Sequence, residues 1–129
     1  MTLVLGLVGC LGFQWNKTHV FNPAWHPHAR FHAVQLCLFF AVLSAGALWM
    51  TWWAPLSPGV AAGVAAAVPI SFWAGEFVAL TVPGTDPSPD PNKPNTFSLM
   101  GMTVHGNLFF ATVMIIASIL GALMLGLSA

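Results

Sequence analysis

The sequence has very few charged residues. Three lysines and arginines and three aspartates and glutamates occur among 129 residues, so that 5% of the chain is charged. Soluble globular domains are about 25% charged and about 45–50% apolar, whereas 57% of this chain is hydrophobic. This composition excludes a water-soluble monomer, a disordered chain and a basic nucleic-acid-binding protein. It indicates an integral membrane protein that is surrounded by lipid.

The chain also lacks the short motifs of several common chemistries. It contains no phosphate-binding loop, no nucleophile elbow, no dinucleotide-binding glycine pattern and no H-E-x-x-H zinc motif. Its two cysteines, Cys10 and Cys37, lie in apolar runs, which favours free thiols over a disulfide framework. Residues 1–13 have no basic region and no A-x-A site, so we expect a retained hydrophobic segment rather than a cleaved signal peptide.

Long uncharged runs predict the membrane segments. A helix that crosses the hydrocarbon core needs about 20 apolar residues. The charge-free stretch 31–75 is long enough for two helices, which the prolines and glycine at 54–59 divide. We predict an all-α integral membrane bundle of four helices in one transmembrane domain over residues 1–129, with helices at about 2–13, 28–53, 59–82 and 97–128. The first helix is short or truncated, because it covers only about 18 Å of a core about 30 Å thick.

Two polar connections, 14–27 and 83–96, join the predicted helices. With four segments, both connections lie on the same membrane face. Lys17, Arg30 and Lys93 all belong to this face. Membrane proteins carry an excess of lysine and arginine on the cytoplasmic side, so the sequence predicts that this face is cytoplasmic.

Three predicted helices bring polar side chains to similar depths below this face. The helix rise places His32, Glu76 and His105 between about 6 and 13 Å from the helix ends. Glu76 is the only acid in any predicted helix, and a carboxyl group inside a membrane is costly unless it is paired or neutral. The sequence therefore predicts a polar site in which Glu76, His32 and His105 are the candidate catalytic residues. The alternative is a structural Glu–His pair that fixes the register of the helices.

Further polar residues are candidates for ligand binding. At 100° per residue, His28, His32 and Gln35 fall within about 60° on one helix face. Arg30 and Asn107 point away from the histidine-bearing faces, toward loops or helix ends. The predicted ligand-binding residues are His28, Gln35, Arg30 and Asn107.

A metal ion or a haem is a possible cofactor of the same residues. His28 and His32, at positions i and i+4, can bind one ion from a single helix face, and Glu76 and His105 would complete the coordination of zinc or iron. A haem held by His32 and His105 from two helices is a separate option. The spacing alone does not establish a metal site, because His-x-x-x-His also arises by chance in a chain with five histidines.

The densest polar feature is the run W-N-K-T-H-V-F-N-P-A-W-H-P-H-A-R-F-H at residues 15–32. Within it, His19 and His26 are predicted to lie at the membrane interface. The run resembles a W-N-x-T-H-x-F-N-P-x-W-x-P-H-A-R-F-H motif of small, functionally uncharacterised four-helix integral membrane proteins. The resemblance implies a small bundle with this motif at a membrane face, and it implies no activity.

Three functions remain open at this stage. The first is an enzyme or binding protein for a lipophilic small molecule that enters from membrane lipid, with Glu76 as a proton carrier and His32 and His105 as its partners. This function predicts a cavity at the level of Glu76. The second is an accessory subunit that contacts other membrane subunits and has no open cavity. The third is a metal- or haem-binding membrane protein.

Overall fold

The computed structural model describes residues 1–88 and 95–127. In chain order, the elements are α1 (Thr2–Gln14), α2 (Pro27–Trp52), α3 (Pro58–Ala79), β1 (Thr96–Leu99), β2 (Met102–His105) and α4 (Gly106–Leu127). Three helical stretches are long and apolar enough to cross a membrane: His28–Trp52, Pro58–Ala79 and Gly106–Leu125. The helix α1 is apolar but shorter, with 13 residues. The predicted fold class, a bundle of four apolar helices with a short first helix, is confirmed.

Local sequence determines where the helices begin and end. The helices α2 and α3 each begin with a proline in the first turn, Pro27 and Pro58, where the missing N–H costs no helical hydrogen bond. At the end of α1, the Asn16 side-chain amide donates to the carbonyl oxygens of Gly12 and Phe13, at 2.8 and 2.9 Å. These bonds satisfy two carbonyl groups that the helix end leaves without a partner.

The helix α3 lies at the centre of the bundle and packs against each of the other three helices. The buried core is formed by Cys10, Cys37, Phe40, Trp73, Ala111 and Met114. The helix α1 approaches α4 closely because Gly9 has no side chain: a Cβ atom there would lie 2.5 Å from Cζ of Phe110. The Phe110 ring in turn packs edge-on against Phe13 and Trp73, with ring centroids 5.2 and 5.0 Å away.

The predicted fourth helix is wrong over its first nine residues. Residues 97–105 belong to a β-hairpin, and α4 begins only at Gly106. The strands β1 and β2 pair antiparallel, and the two turn residues, Met100 and Gly101, have φ angles of 50° and 83°. Two left-handed residues in a two-residue loop are typical of a type I′ hairpin turn. The run is uncharged and so suggests a helix, but its polar and apolar residues alternate with the period of a strand.

The hairpin and an earlier end of α3 change the predicted depth of the polar residues. The helix α3 ends at Ala79 rather than at 82, so that Glu76 lies about 5 Å from the helix end instead of about 10 Å. His105 does not lie inside a helix but immediately before α4. Residues 89–94, which include Lys93 and part of the polar connection 83–96, lie outside the described residues.

Large apolar side chains cover the outside of the helices. Leu38 and Phe39 on α2 are 65% and 61% exposed. Trp49, Trp52 and Trp53, at the end of α2, are exposed as well, and such rings are typical of the interface between membrane and water. This surface suits a lipid environment.

Candidate functional site

A cavity of about 770 Å³ lies at the end of the bundle where the two polar connections meet. The ends of α1, α3 and α4 form its wall together with parts of both connections. The polar lining residues are Gln14, Asn16, Thr18, His19, Glu76, Thr85, Asp86, Ser88, Asn95 and Asn107. We call this space the polar cavity.

A second space, of about 590 Å³, lies between α2 and α3. Its lining is mostly apolar, with Leu36, Phe39 and Leu43 from α2, and we call it the apolar groove. Four residues line both spaces: Gln14, Phe72, Glu76 and Ala79. Glu76 therefore lies where the polar cavity and the apolar groove adjoin.

Glu76 is hydrogen-bonded to α4. The Nδ2 atom of Asn107 donates to Oε2 of Glu76 at 3.0 Å. The Oδ1 atom of Asn107 is buried and has no hydrogen-bond partner among the described residues. The Glu76 carboxyl group keeps further acceptor capacity for a bound molecule, because Asn107 uses only one of its lone pairs.

The hydrogen bonds around His19 fix the position of its proton. Oδ1 of Asn16 accepts from the backbone N–H and from the hydroxyl of Thr18, at 2.8 and 2.6 Å. Thr18 Oγ1 also lies 2.8 Å from Nδ1 of His19. The hydroxyl group of Thr18 has one proton, and it donates this proton to Asn16. Nδ1 of His19 is therefore the donor in its contact with Thr18. In the neutral ring, Nε2 is then left as a hydrogen-bond acceptor.

Burial keeps His19 in this neutral form. The loss of hydration lowers the pKa of His19 from its usual value of 6.5. The ring also contacts Trp25 edge-on, with centroids 5.2 Å apart. The polar cavity thus contains a neutral imidazole in addition to the carboxyl group of Glu76.

The connection between α1 and α2 is held together by its own asparagines. Oδ1 of Asn22 accepts from the N–H of Ala24 at 2.9 Å, and Nδ2 of Asn22 donates to the carbonyl of Thr18 at 3.2 Å. Such bonds from asparagine to nearby backbone groups are typical of ordered turns. The connection is therefore an ordered loop, and it places His19 and Trp25 in the wall of the polar cavity. His19 is not among the residues predicted for the site, and the flanking asparagines are the sequence signal that indicates an ordered loop.

Three of the predicted site residues contact one another on the exposed face of α2: His28, His32 and Gln35. Nε2 of His32 lies 3.0 Å from Nε2 of His28, and Nδ1 of His32 lies 3.1 Å from Oε1 of Gln35. They share a face, as their spacing predicts, but none of the three lines the polar cavity or the apolar groove. His32 is therefore not part of the walls that Glu76 shares with either space.

His105 and Arg30 each have a buried nitrogen atom outside the two spaces. His105 pairs with Thr96 across the hairpin, and its Nδ1 atom is buried without a partner in the described part of the chain. The Nε atom of Arg30 is likewise buried without a hydrogen bond there. Neither residue lines the polar cavity or the apolar groove. Of the predicted site residues, Asn107 is the one that hydrogen-bonds to Glu76.

The predicted metal ligands are not assembled within residues 1–88 and 95–127. No group of three or more His, Cys, Asp or Glu side chains there is close enough to hold a metal ion. The candidates His28 and His32 contact each other, whereas Glu76 contacts Asn107 and His105 lies at the hairpin. The four candidates therefore do not form one metal-binding group in this part of the chain.

The two cysteines lie next to each other. Sγ of Cys10 and Sγ of Cys37 are 3.7 Å apart, and both thiols are free and buried. Cys10 also lines the polar cavity. Together they pack α1 against α2 in the core.

A family model described as a family of unknown function, DUF6640, matches residues 1–120. The match covers nearly the whole chain, and the chain belongs to this family. No curated protein and no solved structure matches the chain significantly. Family membership agrees with the resemblance to uncharacterised proteins, and any function must be argued from the site itself.

Proposed function

We propose that this member of the DUF6640 family binds a lipophilic small molecule in the membrane. The polar end of the molecule would occupy the polar cavity, and its apolar part would lie in the apolar groove between α2 and α3. The observation that carries the proposal is the position of Glu76, which lines both spaces. A molecule with one polar end and one apolar end fits such a junction.

The sizes of the two spaces support this proposal. Small-molecule sites have volumes of roughly 300–1,000 Å³, a mostly apolar lining and a few polar groups that orient the ligand. The polar cavity and the apolar groove, of about 770 and 590 Å³, both fall in this range. Glu76, Asn107 and His19 supply the orienting groups. These open spaces favour binding over the role of an accessory subunit, which predicts none.

Acid–base catalysis on the bound molecule is the second candidate function. Its support is that a carboxyl group, Glu76, and a neutral imidazole, His19, line the same cavity. A positioned carboxyl or imidazole group can transfer a proton to or from a substrate. His32 and His105, which the sequence suggested as partners of Glu76, do not line this cavity. His19 therefore takes their place in this hypothesis.

The orientation of the protein is part of the proposal. Lys17 lies in the connection at the polar cavity, and Arg30 lies in the first turn of α2 at the same end. We propose that this end faces the cytoplasm, because positive charge is enriched there in membrane proteins. The ligand would enter the apolar groove sideways from the lipid.

Filling the apolar groove tests the proposal. Gly75 lines the groove and has open space next to it, whereas Gly63, on the same helix, has open space but lines neither the groove nor the polar cavity. The protein in lipid nanodiscs is labelled with a photoreactive long-chain alcohol. The Gly75→Trp variant should lose about tenfold or more of the labelling in α2 and α3, which corresponds to about 1.4 kcal/mol of binding free energy. The control variant Gly63→Trp should label like the wild type. Equal labelling of all three proteins would contradict the proposal.

A further inference from the structure

We infer that the ligand is a cationic amphiphile, a single-chain lipophilic molecule with an ammonium head group. This inference rests on the proposed function and narrows it to one class of ligand. It follows from three features of the polar cavity: the charge of its lining, its aromatic rings and the protonation state of His19.

The lining of the polar cavity is acidic. Glu76 and Asp86 both line it, and none of the described residues that line it is a lysine or an arginine. The hydrogen bond described for Glu76 comes from Asn107, a neutral amide. A half-buried carboxylate inside a membrane is costly unless it is neutral or paired with a positive charge. A ligand ammonium group beside Glu76 would supply that charge, and the exposed Asp86 at the rim of the cavity would add to the attraction.

Aromatic rings form much of the remaining lining. Phe13, Trp25, Phe72 and Trp73 all line the polar cavity. Phe72 and Trp73 meet edge-on with centroids 5.0 Å apart, so that their faces point in different directions. The faces of aromatic rings attract ammonium groups, and sites for quaternary ammonium ligands are commonly lined by several such rings. Aromatic rings beside carboxyl groups therefore favour a cation over a neutral polar head group.

His19 adds an acceptor without adding a positive charge. Its Nδ1–H donates to the hydroxyl oxygen of Thr18, and its Nε2 atom can accept a hydrogen bond from a ligand. A protonated imidazole in the cavity wall would oppose a cation, but the neutral ring does not. The apolar groove that adjoins Glu76 then receives the hydrocarbon chain of the ligand.

A matched set of ten-carbon probes tests the inference. The full-length protein in an uncharged detergent is titrated with decyltrimethylammonium, decan-1-ol and decyl sulfate, and binding is measured by equilibrium dialysis. We expect decyltrimethylammonium to bind about tenfold more tightly than decan-1-ol, and decyl sulfate to bind least. Lysophosphatidylcholine is a fourth probe: tighter binding than decyltrimethylammonium identifies a choline lipid as the source of the head group, and weaker binding identifies a free ammonium amphiphile.

Variants test whether residues of the polar cavity cause the preference for decyltrimethylammonium over decan-1-ol. Glu76→Gln keeps an oxygen that can accept from Asn107, so we expect it to retain decan-1-ol binding and to lose most of the ammonium preference. Trp25→Leu should reduce the same preference, while Trp53→Leu, at an exposed tryptophan outside the cavity, should not.

The outcomes separate the two proposals. If none of the probes binds more tightly to the wild type than to Gly75→Trp, the proposed function itself fails. If decan-1-ol or decyl sulfate binds as tightly as decyltrimethylammonium, or if Glu76→Gln keeps the full preference, lipophile binding stands and the inferred cationic head group is wrong.

Discussion

At the scale of single residues, Glu76 marks the candidate site, because it lines both the polar cavity and the apolar groove. The sequence predicts it as a candidate, and it is the only acid in the helices of the described residues. Its surroundings were not predictable from helix geometry alone. Residue counting gives the depth and the face of a side chain only if the whole segment is helical, and the hairpin removes His105 from α4. Asn107 hydrogen-bonds to Glu76 and His19 lines the same cavity, whereas the predicted partners His105 and His32 do not line it.

The protonation of His19 gives a prediction about stability. Burial lowers the pKa of His19 from 6.5, so the folded protein binds this proton less readily than the unfolded chain. The stability that the neutral ring contributes is therefore fully present above about pH 6.5, and it is lost as the pH falls from there through the lowered pKa. The melting temperature in an uncharged detergent should fall with the pH in this window. The comparison with His19→Gln separates the contribution of this histidine from that of the rest of the chain.

We expect the melting temperature of His19→Gln to depend less steeply on pH than that of the wild type below about pH 6.5. Identical pH profiles for the two proteins would show that His19 has no part in the effect.

At the scale of elements, the hairpin shows that an uncharged run does not by itself indicate a helix. Met100 occupies a left-handed position in the turn, with φ 50°, although a methionine there is not a usual turn signal. Asparagine or glycine is the residue that normally marks such a turn. The hairpin packs against α4 through Phe97 and Phe109, whose ring centroids are 5.3 Å apart.

The turn can be tested by two substitutions of opposite effect. Met100→Gly removes the cost of a side chain in the left-handed region and should raise the free energy of unfolding by about 1 kcal/mol. Gly101→Val places a branched side chain at φ 83° and should lower it by about 1–2 kcal/mol. Denaturant unfolding in detergent measures both values. Two changes of the same sign would argue against the turn.

Elements with strong local signals were predictable, and elements that depend on side-chain bonds to the backbone were not. The prolines at 27 and 58 lie where the predicted helices begin, and the long uncharged runs correspond to α2 and α3. The connection that carries His19 is ordered by bonds from Asn16 and Asn22 to nearby groups. Hydrophobic periodicity does not report such bonds, so it could not predict that His19 and Glu76 line the same cavity.

At the scale of the whole molecule, the short helix α1 closes one side of the polar cavity. Its packing depends on Gly9, because a Cβ atom there would lie 2.5 Å from the Phe110 ring. That ring is held by Phe13 and Trp73, so it has little room to move. The site is therefore a property of the assembled bundle rather than of one helix.

Replacing Gly9 tests this packing. Gly9→Ala should lower the free energy of unfolding by about 1–3 kcal/mol, because an added methyl group overpacks the contact with α4. The control is Gly12→Ala on the same helix, where a Cβ atom would meet nothing within 4 Å. This change should raise stability by up to about 1 kcal/mol, since alanine favours the helix over glycine. A more stable Gly9→Ala protein would show that α1 does not pack as described.

The apolar groove lies between α2 and α3. In the proposed lipid environment, acyl chains rather than protein would border its outer edge. Compression of the acyl chains would then push α2 toward α3 and narrow the groove, whereas looser chain packing would let it widen. Occupancy would then report on the fluidity of the surrounding lipid as well as on ligand concentration.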